Sequence, residues 1–302
     1  MGPSVKGIVH YVKDARFTSP AANLSLSDMI SVSGQIELLA LDLDGTLLDD
    51  AKRIDPATAT ALAAARRRGV RVVIASARPP RSVRHFYHAL QLDTWQINYN
   101  GAMIWDEPGM RMTRHEPMDC GLVLQMIRSA REFHRQTLVT CEILDRWCTD
   151  RFDGASGPQT ETGKLFRPDL VAPVEAFCVE PITKLLFLGK AEEMAELEAM
   201  LRRKFAGDVC IVRSEPELIQ IMHRACSKGA ALRRVMEAYA IAPDRVMAIG
   251  DAVNDLEMLR CAAVAVAVGN AAEPVKQAAD WVAPDNNSQG VLAAMRRYGV
   301  CE

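Results

Sequence analysis

A doubly wound parallel α/β sheet interrupted by an inserted α+β unit is the fold class this sequence predicts. Three observations carry it. Apolar runs of strand length lie near both ends of the chain and give way at once to Asp, Ser or Gly. Helical segments separate those runs, and in the middle third strands and helices segregate instead of alternating. The 302 residues, 49% of them hydrophobic, suffice for a large core and suit two domains better than one.

The elements follow in order. Residues 1–35 mix Gly, Pro, Ser and Lys without periodicity, and Ser19-Pro20-Ala21-Ala22 reads as a linker, so a flexible N-terminal extension is expected there. Leu38-Leu39-Ala40-Leu41 is a buried strand, because a strand covered on both faces reads as a continuous apolar run. Asp55-Pro56 opens a helix, with Asp capping the free amides and Pro at the first helical position. The Ala-rich segment carries it to Arg68, its three arginines at the negative end of the dipole, and Gly69 ends it. Val70–Ala75 is the next strand, which completes a βαβ unit with parallel strands.

The same rhythm returns late. A helix over Ser227–Ala240 leads to a strand at Arg245–Ile249, a short helix from Asn254 and a strand at Val264–Val268. Helices over 271–279 and 288–298 follow, with Trp281-Val282 a short strand between them. Residues 36–105 and 221–302 are therefore expected to build one doubly wound domain. Between them, 106–220 carries a helix at 119–134, β-type runs at Leu138–Ile143, Thr183–Leu188 and Val209–Val212, and a charge-mixed helix at Ala191–Lys204. This reads as a sheet with helices on one face.

Composition excludes several classes of partner. The formal net charge of -2 gives no basic excess, so a nucleic-acid backbone is not the expected partner, and the Arg66–Arg68 run reads as a solvated helix end. No apolar run reaches the roughly 18–20 residues that span a bilayer, and the first residues lack an apolar signal core. The eight cysteines are scattered singly without a CxxC pair, which fits free thiols in a reducing cytoplasm better than a zinc ribbon. Nothing in the pattern fixes an oligomeric state.

Four islands carry the chemistry. Asp42-Leu43-Asp44-Gly45-Thr46 sets two carboxylates two residues apart at a strand end, with Gly45 allowing a sharp turn. Paired carboxylates at a buried edge are costly unless a cation sits between them, and Mg²⁺ suits hard oxygen ligands. Ser76, at the end of the second strand, offers a hydroxyl to a phosphate oxygen, although a strand-end Ser is more often a turn residue. Ser227-Lys228-Gly229 puts a cationic point charge at a helix start. Gly250-Asp251-Ala252-Val253-Asn254-Asp255 supplies a second acidic cluster after a separate strand. Three of the four sit at C-terminal strand ends, where open parallel sheets bind ligands.

In this order the islands resemble the haloacid dehalogenase-like hydrolase superfamily. The GDxxND form, Asn100-Gly101-Ala102 and Gly269-Asn270-Ala271 resemble its Cof-type phosphatases, whose Rossmann-like core carries an inserted α/β cap of the C2B type. The insertion at 106–220 lies where that cap belongs. Ser76-Ala77-Arg78 departs from the usual Thr-Gly-Arg or Ser-Gly-Arg, and Val268 stands where many relatives have Met. Neither change removes a catalytic group.

The resemblance implies a Mg²⁺-dependent phosphatase that acts on a small phosphorylated metabolite. Asp42 would be the nucleophile, and Asp44 the acid that protonates the leaving group and then activates water. Asp42, the Asp44 carbonyl and Asp251 would hold the metal, and Ser76, Lys228 and Asn254 the phosphate. Asp255 would orient Lys228 or support the metal. An aspartate needs no base to act, since its ordinary pKa is about 3.9. Substrate choice would lie in the cap, with His115, Arg146, Trp147 and Arg213 as candidate contacts weighed against ordinary surface or core roles. His85 and His88, three apart on a helix, read as an exposed face. A phosphomutase or phosphotransferase sharing the first half-reaction is the nearest alternative, and a non-catalytic phosphometabolite sensor the more distant one.

Overall fold

The computed structural model describes residues 35–152 and 161–302. Apart from Gln35, the expected N-terminal extension lies outside the described residues. The chain runs β1 (Leu38–Leu41), α1 (Pro56–Arg67), β2 (Arg71–Ile74), α2 (Pro80–Ala89) and β3 (Trp95–Asn98), then the hairpin β4 (Met103–Asp106) and β5 (Arg111–His115). The middle holds α3 (Cys120–Phe133), β6 (Leu138–Ile143), β7 (Arg146–Thr149), α4 (Glu161–Leu165), β8 (Leu170–Val171), α5 (Val174–Phe177), β9 (Lys184–Leu188), α6 (Ala191–Phe205), β10 (Val209–Glu215) and β11 (Leu218–His223). The return adds α7 (Lys228–Tyr239), β12 (Val246–Gly250), α8 (Leu256–Leu259), β13 (Val264–Ala267), α9 (Glu273–Ala278), β14 (Trp281–Val282) and α10 (Gly290–Arg297).

The helix ends obey local chemistry. Asp55 caps α1 by accepting from the Thr58 amide, Pro56 opens it, and Arg66 and Arg67 lie in its last turn. Asp119 caps α3 and Ser227 caps α7 in the same way. The five-stranded sheet has the order β14-β13-β12-β1-β2 and is parallel throughout. Its inner strands are fully buried, which explains their unbroken apolar runs.

Strand register positions the site. Leu41 pairs with Ile249 on one side and Ile74 on the other. Neighbouring strands lie about 4.8 Å apart, so the residues just past each end emerge side by side. Those residues belong to the Asp42, Ser76 and Asp251 islands. The chain leaves β1 toward β2 and returns on the opposite side as β12, so the strand order reverses beside Asp42.

The second sheet has six strands in the order β10-β11-β9-β6-β7-β8. Val139, Cys141, Leu185, Phe187, Ile219 and Ile221 point into an apolar cluster with α3 and α6. Alternation turns Glu142, Lys184, Leu186, Leu218 and Gln220 to the other face, where they line a cleft above the first sheet. The edges expected for the insertion, 105/106 and 220/221, fall inside β4 and β11. Met103 of β4 and Met222 of β11 pack together with Tyr99 and Cys226 along this seam.

Candidate active site

A cavity of about 280 Å³ lies between the sheets, and Asp42, Asp44, Ser76, Lys228 and Asn254 all line it. Asp42 follows β1 directly, its amide donating to the Ile249 carbonyl at 3.0 Å. Its carboxylate accepts from Lys228 Nζ, which also donates to Asp255 Oδ1 at 2.6 Å. Stripping an ammonium of water costs several kcal/mol, and two carboxylates are what offset it. Burial pushes the Lys228 pKa down, but Asp255 and Asp42 outweigh that and hold it above the ordinary lysine range.

Asp251 approaches Asp42 from β12. The carboxylate oxygens of Asp42, Asp251 and Asp255 lie within 4.8 Å of one another. Burial raises Asp42 well above the usual carboxylate range, with Lys228 opposing and Asp255 and Asp251 adding to the rise. Burial and the Asp255 charge likewise raise Asp251, while the Thr46 hydroxyl, 2.7 Å from Asp251 Oδ1, holds it back. Two like charges at about 4 Å repel by roughly 4 kcal/mol at an effective dielectric near 20. A hard divalent cation between them removes that cost, so the donor set fits one. Asp255 is committed elsewhere: its Oδ2 accepts the amides of Asp251 and Ala252 at 3.1 and 3.0 Å. Asp42 and Asp251 are thus the carboxylates with capacity for a metal. Gly45 makes the approach possible, since its φ is +79° and a Cβ there would lie 2.7 Å from Asp251 Oδ2.

Asp44 stands on the cleft rim and is clamped. Arg78 Nε and Nη2 donate to its two oxygens at 2.6 and 2.5 Å, and Lys52 Nζ adds a contact of 2.9 Å. Burial pushes Asp44 up, but Arg78 and Lys52 more than offset this and hold it below the usual range. Sequence reasoning gives neither cation a role. Arg78 sits two residues past the strand-end Ser, and Lys52 projects from a loop with φ of 61°.

Ser76 is buried, and its Oγ accepts from the Arg78 amide at 3.1 Å. Asn254 donates to Asn100 Oδ1 at 2.9 Å. Asn100 belongs to a turn in which Tyr99, Asn100 and Gly101 all have positive φ. The amides of Asn100 and Tyr99 bond to the carbonyls of Ser76 and Arg78. A Cβ on Gly101 would lie 2.2 Å from the Ser227 carbonyl, so this turn presses against the start of α7 where Lys228 begins. Asn100-Gly101-Ala102 is therefore a brace that joins the second, third and fourth islands.

The four candidate contacts of the insertion take the ordinary surface and core roles weighed for them. His115 bonds Thr183, Arg146 pairs with exposed Glu180, Trp147 is buried against Thr140, and Arg213 pairs with Glu198. None of them lines the cleft; Glu142, Lys184, Leu186, Glu215, Leu218 and Gln220 do. Arg81 ties α2 to the second sheet through Glu142 at 2.7 Å and Asp145 at 3.0 Å, and the Tyr99 hydroxyl lies 3.1 Å from Glu142. His85 and His88 are exposed on α2 as expected. Among the described residues no helix is long and apolar enough to cross a membrane.

Comparison with known proteins gives this arrangement its context. A family model described as haloacid dehalogenase-like hydrolase matches residues 39–295. Phosphatase YwpJ of Bacillus subtilis is 31% identical over 285 residues, covering 86% of this chain and 99% of its own length. The 5-amino-6-(5-phospho-D-ribitylamino)uracil phosphatase YcsE of the same organism is 29% identical over 265 residues, covering 87% and 96%. A crystal structure of a haloacid dehalogenase-like hydrolase from Bacteroides thetaiotaomicron superposes with a TM-score of 0.77 at 27% identity, covering 87% of this chain and 99% of that one.

Proposed function

The chain belongs to the haloacid dehalogenase-like hydrolases and is a phosphatase of that family, and from that premise we propose that it hydrolyses small phosphomonoesters through an aspartyl-phosphate on Asp42, with Mg²⁺ as its cation. Sugar phosphates or related phosphometabolites are the substrates. The observation that carries this reading is the buried Asp42 carboxylate, facing Asp251 and salt-bridged to Lys228 on the floor of a cleft whose rim holds Asp44. In this reading residues 36–105 and 221–302 form the catalytic core and 106–220 the cap, except that Ile221–His223 complete cap strand β11.

Asp42 attacks phosphorus in line, forming a bond from its carboxylate oxygen as the bond to the ester oxygen breaks. Asp44 gives the departing oxygen a proton. It then takes one from water, which attacks the same phosphorus and releases phosphate and free Asp42. In the present arrangement Asp44 is held as the carboxylate, the form the second step uses. The negative charge of an incoming phosphate raises it toward the acid form that the first step uses. Lys228, Ser76 and Asn254 hold the phosphate oxygens, and Asp255 and Asn100 keep Lys228 and Asn254 in place. Asp42, Asp251 and the Asp44 carbonyl would bind Mg²⁺, which supplies Lewis-acid neutralisation of the phosphate charge.

The cavity supports a small substrate, since about 280 Å³ lies at the lower end of ordinary ligand sites. One relative, by its name, acts on an ester carried by a ribityl chain, itself a polyol. Eight unpaired thiols suit a reducing cytoplasm. The test is phosphate release from a panel of small phosphomonoesters with Mg²⁺, with EDTA, and with Asp42→Asn. Turnover that needs the metal and disappears in the variant is expected. Turnover that survives Asp42→Asn would sink the mechanism.

A further inference from the structure

The roof of the cleft contains a charge that the hydrolytic mechanism does not use. Strand β9 reads Lys184-Leu185-Leu186-Phe187-Leu188, so an apolar strand begins with a lysine. Leu185 and Phe187 turn toward α3 and α6, and Lys184 and Leu186 turn toward the cavity. Lys184 is 5% exposed, and its Nζ donates to the Ala77 carbonyl at 3.1 Å. Ala77 lies between Ser76 and Arg78, so the lysine reaches the loop expected to hold the phosphate. Its ammonium also lies 5.9 Å from the centre of the Tyr99 ring. A methionine would fill this position without the cost of desolvating a charge. A buried cation aimed into a cleft is therefore a candidate for ligand contact.

The direction of attack says which part of the substrate lies there. Asp42 comes from the floor, and in-line displacement sends the leaving oxygen to the opposite side of phosphorus. The leaving group then rests beneath Glu142, Lys184, Leu186 and Leu218. Glu142 is already engaged by Arg81 and Tyr99. Among the described lining residues the one aromatic is Tyr99, fully buried with its hydroxyl tied to Glu142 and to the Leu144 carbonyl. Flat rings are gripped by apolar and aromatic faces, hydroxyl groups by charged donors. Resting on the phosphatase reading above, we propose that Lys184 is a specificity-determining residue that donates to hydroxyl oxygens of the leaving group and so selects polyol and sugar phosphates over esters of aromatic alcohols.

Steady-state kinetics of wild type and Lys184→Met test this on two esters: hexose 6-phosphate and p-nitrophenyl phosphate, whose leaving group has no further hydroxyl. The variant should lose at least about tenfold more kcat/KM on the sugar ester than on the aryl ester, the worth of one hydrogen bond from a charged donor, with KM rising more than kcat falls. Equal losses on both esters at an unchanged Tm would overturn the proposal and assign Lys184 to seating the cap. So would no loss on either. If Lys184→Met folds poorly, Lys184→Gln carries the same comparison. Wild type that cleaves the aryl ester but no sugar ester sinks the specificity claim alone. Wild type that cleaves neither sinks the phosphatase reading beneath it.

Discussion

The floor and the roof of the cleft each bury one lysine, and their surroundings drive the two in opposite directions. Lys228 lies between Asp42 and Asp255, whose charges overcome the burial penalty and keep its pKa above the ordinary range. Lys184 is equally buried, but burial outweighs the pull of Glu142 and Glu215 and brings its pKa down to about 8. A cation hydrogen-bonded to two carboxylates contributes to folding, whereas Lys184, bonded to a carbonyl with its carboxylates too weakly coupled to offset burial, costs stability. On the floor the charges around Lys228 offset one another, while Asp42 and Asp251 stay raised by burial and their like charges. The roof carries a strained charge, which is the usual mark of a group kept for a ligand.

The largest expected effect breaks the floor at its centre. Asp42→Asn should lower phosphate release by about 10⁴-fold or more, as removal of a covalent nucleophile does, with circular dichroism unchanged. Lys228→Met should lower kcat by about 10²–10³-fold, the loss seen when a charge-stabilising group is removed. It should also cost roughly 3–5 kcal/mol of stability, because two carboxylates lose their buried cation. A urea midpoint that does not move would show that the floor network is not structural.

Arg81→Met tests how the roof is attached. It removes the partner of Glu142 and Asp145, so opening of the second sheet should become easier by about 3 kcal/mol, read as faster amide exchange over residues 138–149. Unchanged exchange there would place the attachment in the Met103–Met222 seam instead. The smallest effect separates the two lysines directly. Folded Lys184 titrates at about 8 against an ordinary 10.5, so between those values the folded form binds fewer protons than the unfolded chain. Relative to Lys184→Met, the wild type should therefore gain stability with rising pH across that window, by on the order of 3 kcal/mol. At neutral pH the variant should be the more stable protein. Parallel pH dependence of the two proteins would mean that the roof lysine is not strained.

Much of the floor was legible in sequence. Strands β1, β2, β12 and β13 are covered on both faces, so each reads as an apolar run whose end is marked by the first polar residue. Asp42, Ser76 and Asp251 are those markers or lie one residue beyond them, and Asp55 and Ser227 announce their helices by side-chain capping. The roof was harder to read. In a sheet with one face toward a cleft, Thr140, Glu142 and Lys184 alternate with apolar residues as they would on a solvent-facing strand. Strand β7 and the hairpin β4–β5 went unmarked for a related reason: they are short, or mix charged with apolar residues, and in β11 the cleft-facing Gln220 interrupts the apolar run. The clamp on Asp44 was hidden too, since Lys52 and Arg78 reach it through loop geometry that spacing along the chain does not encode. A lysine opening an otherwise apolar strand was the available signal for Lys184.

Strand β1 lies between β2 and β12, so residues 38–41 gain one neighbour early and wait for residues 246–250 to gain the other. On a ribosome this order of emergence has a consequence. Every strand of the roof, residues 138–223, leaves the exit tunnel before Lys228, Asp251, Asn254 and Asp255. On the proposed mechanism the nascent chain therefore displays Asp42 and the covering sheet before it owns Lys228 and the second acidic cluster. On that reading a message truncated before codon 228 would yield a chain with neither the lysine nor the second acidic cluster of the site.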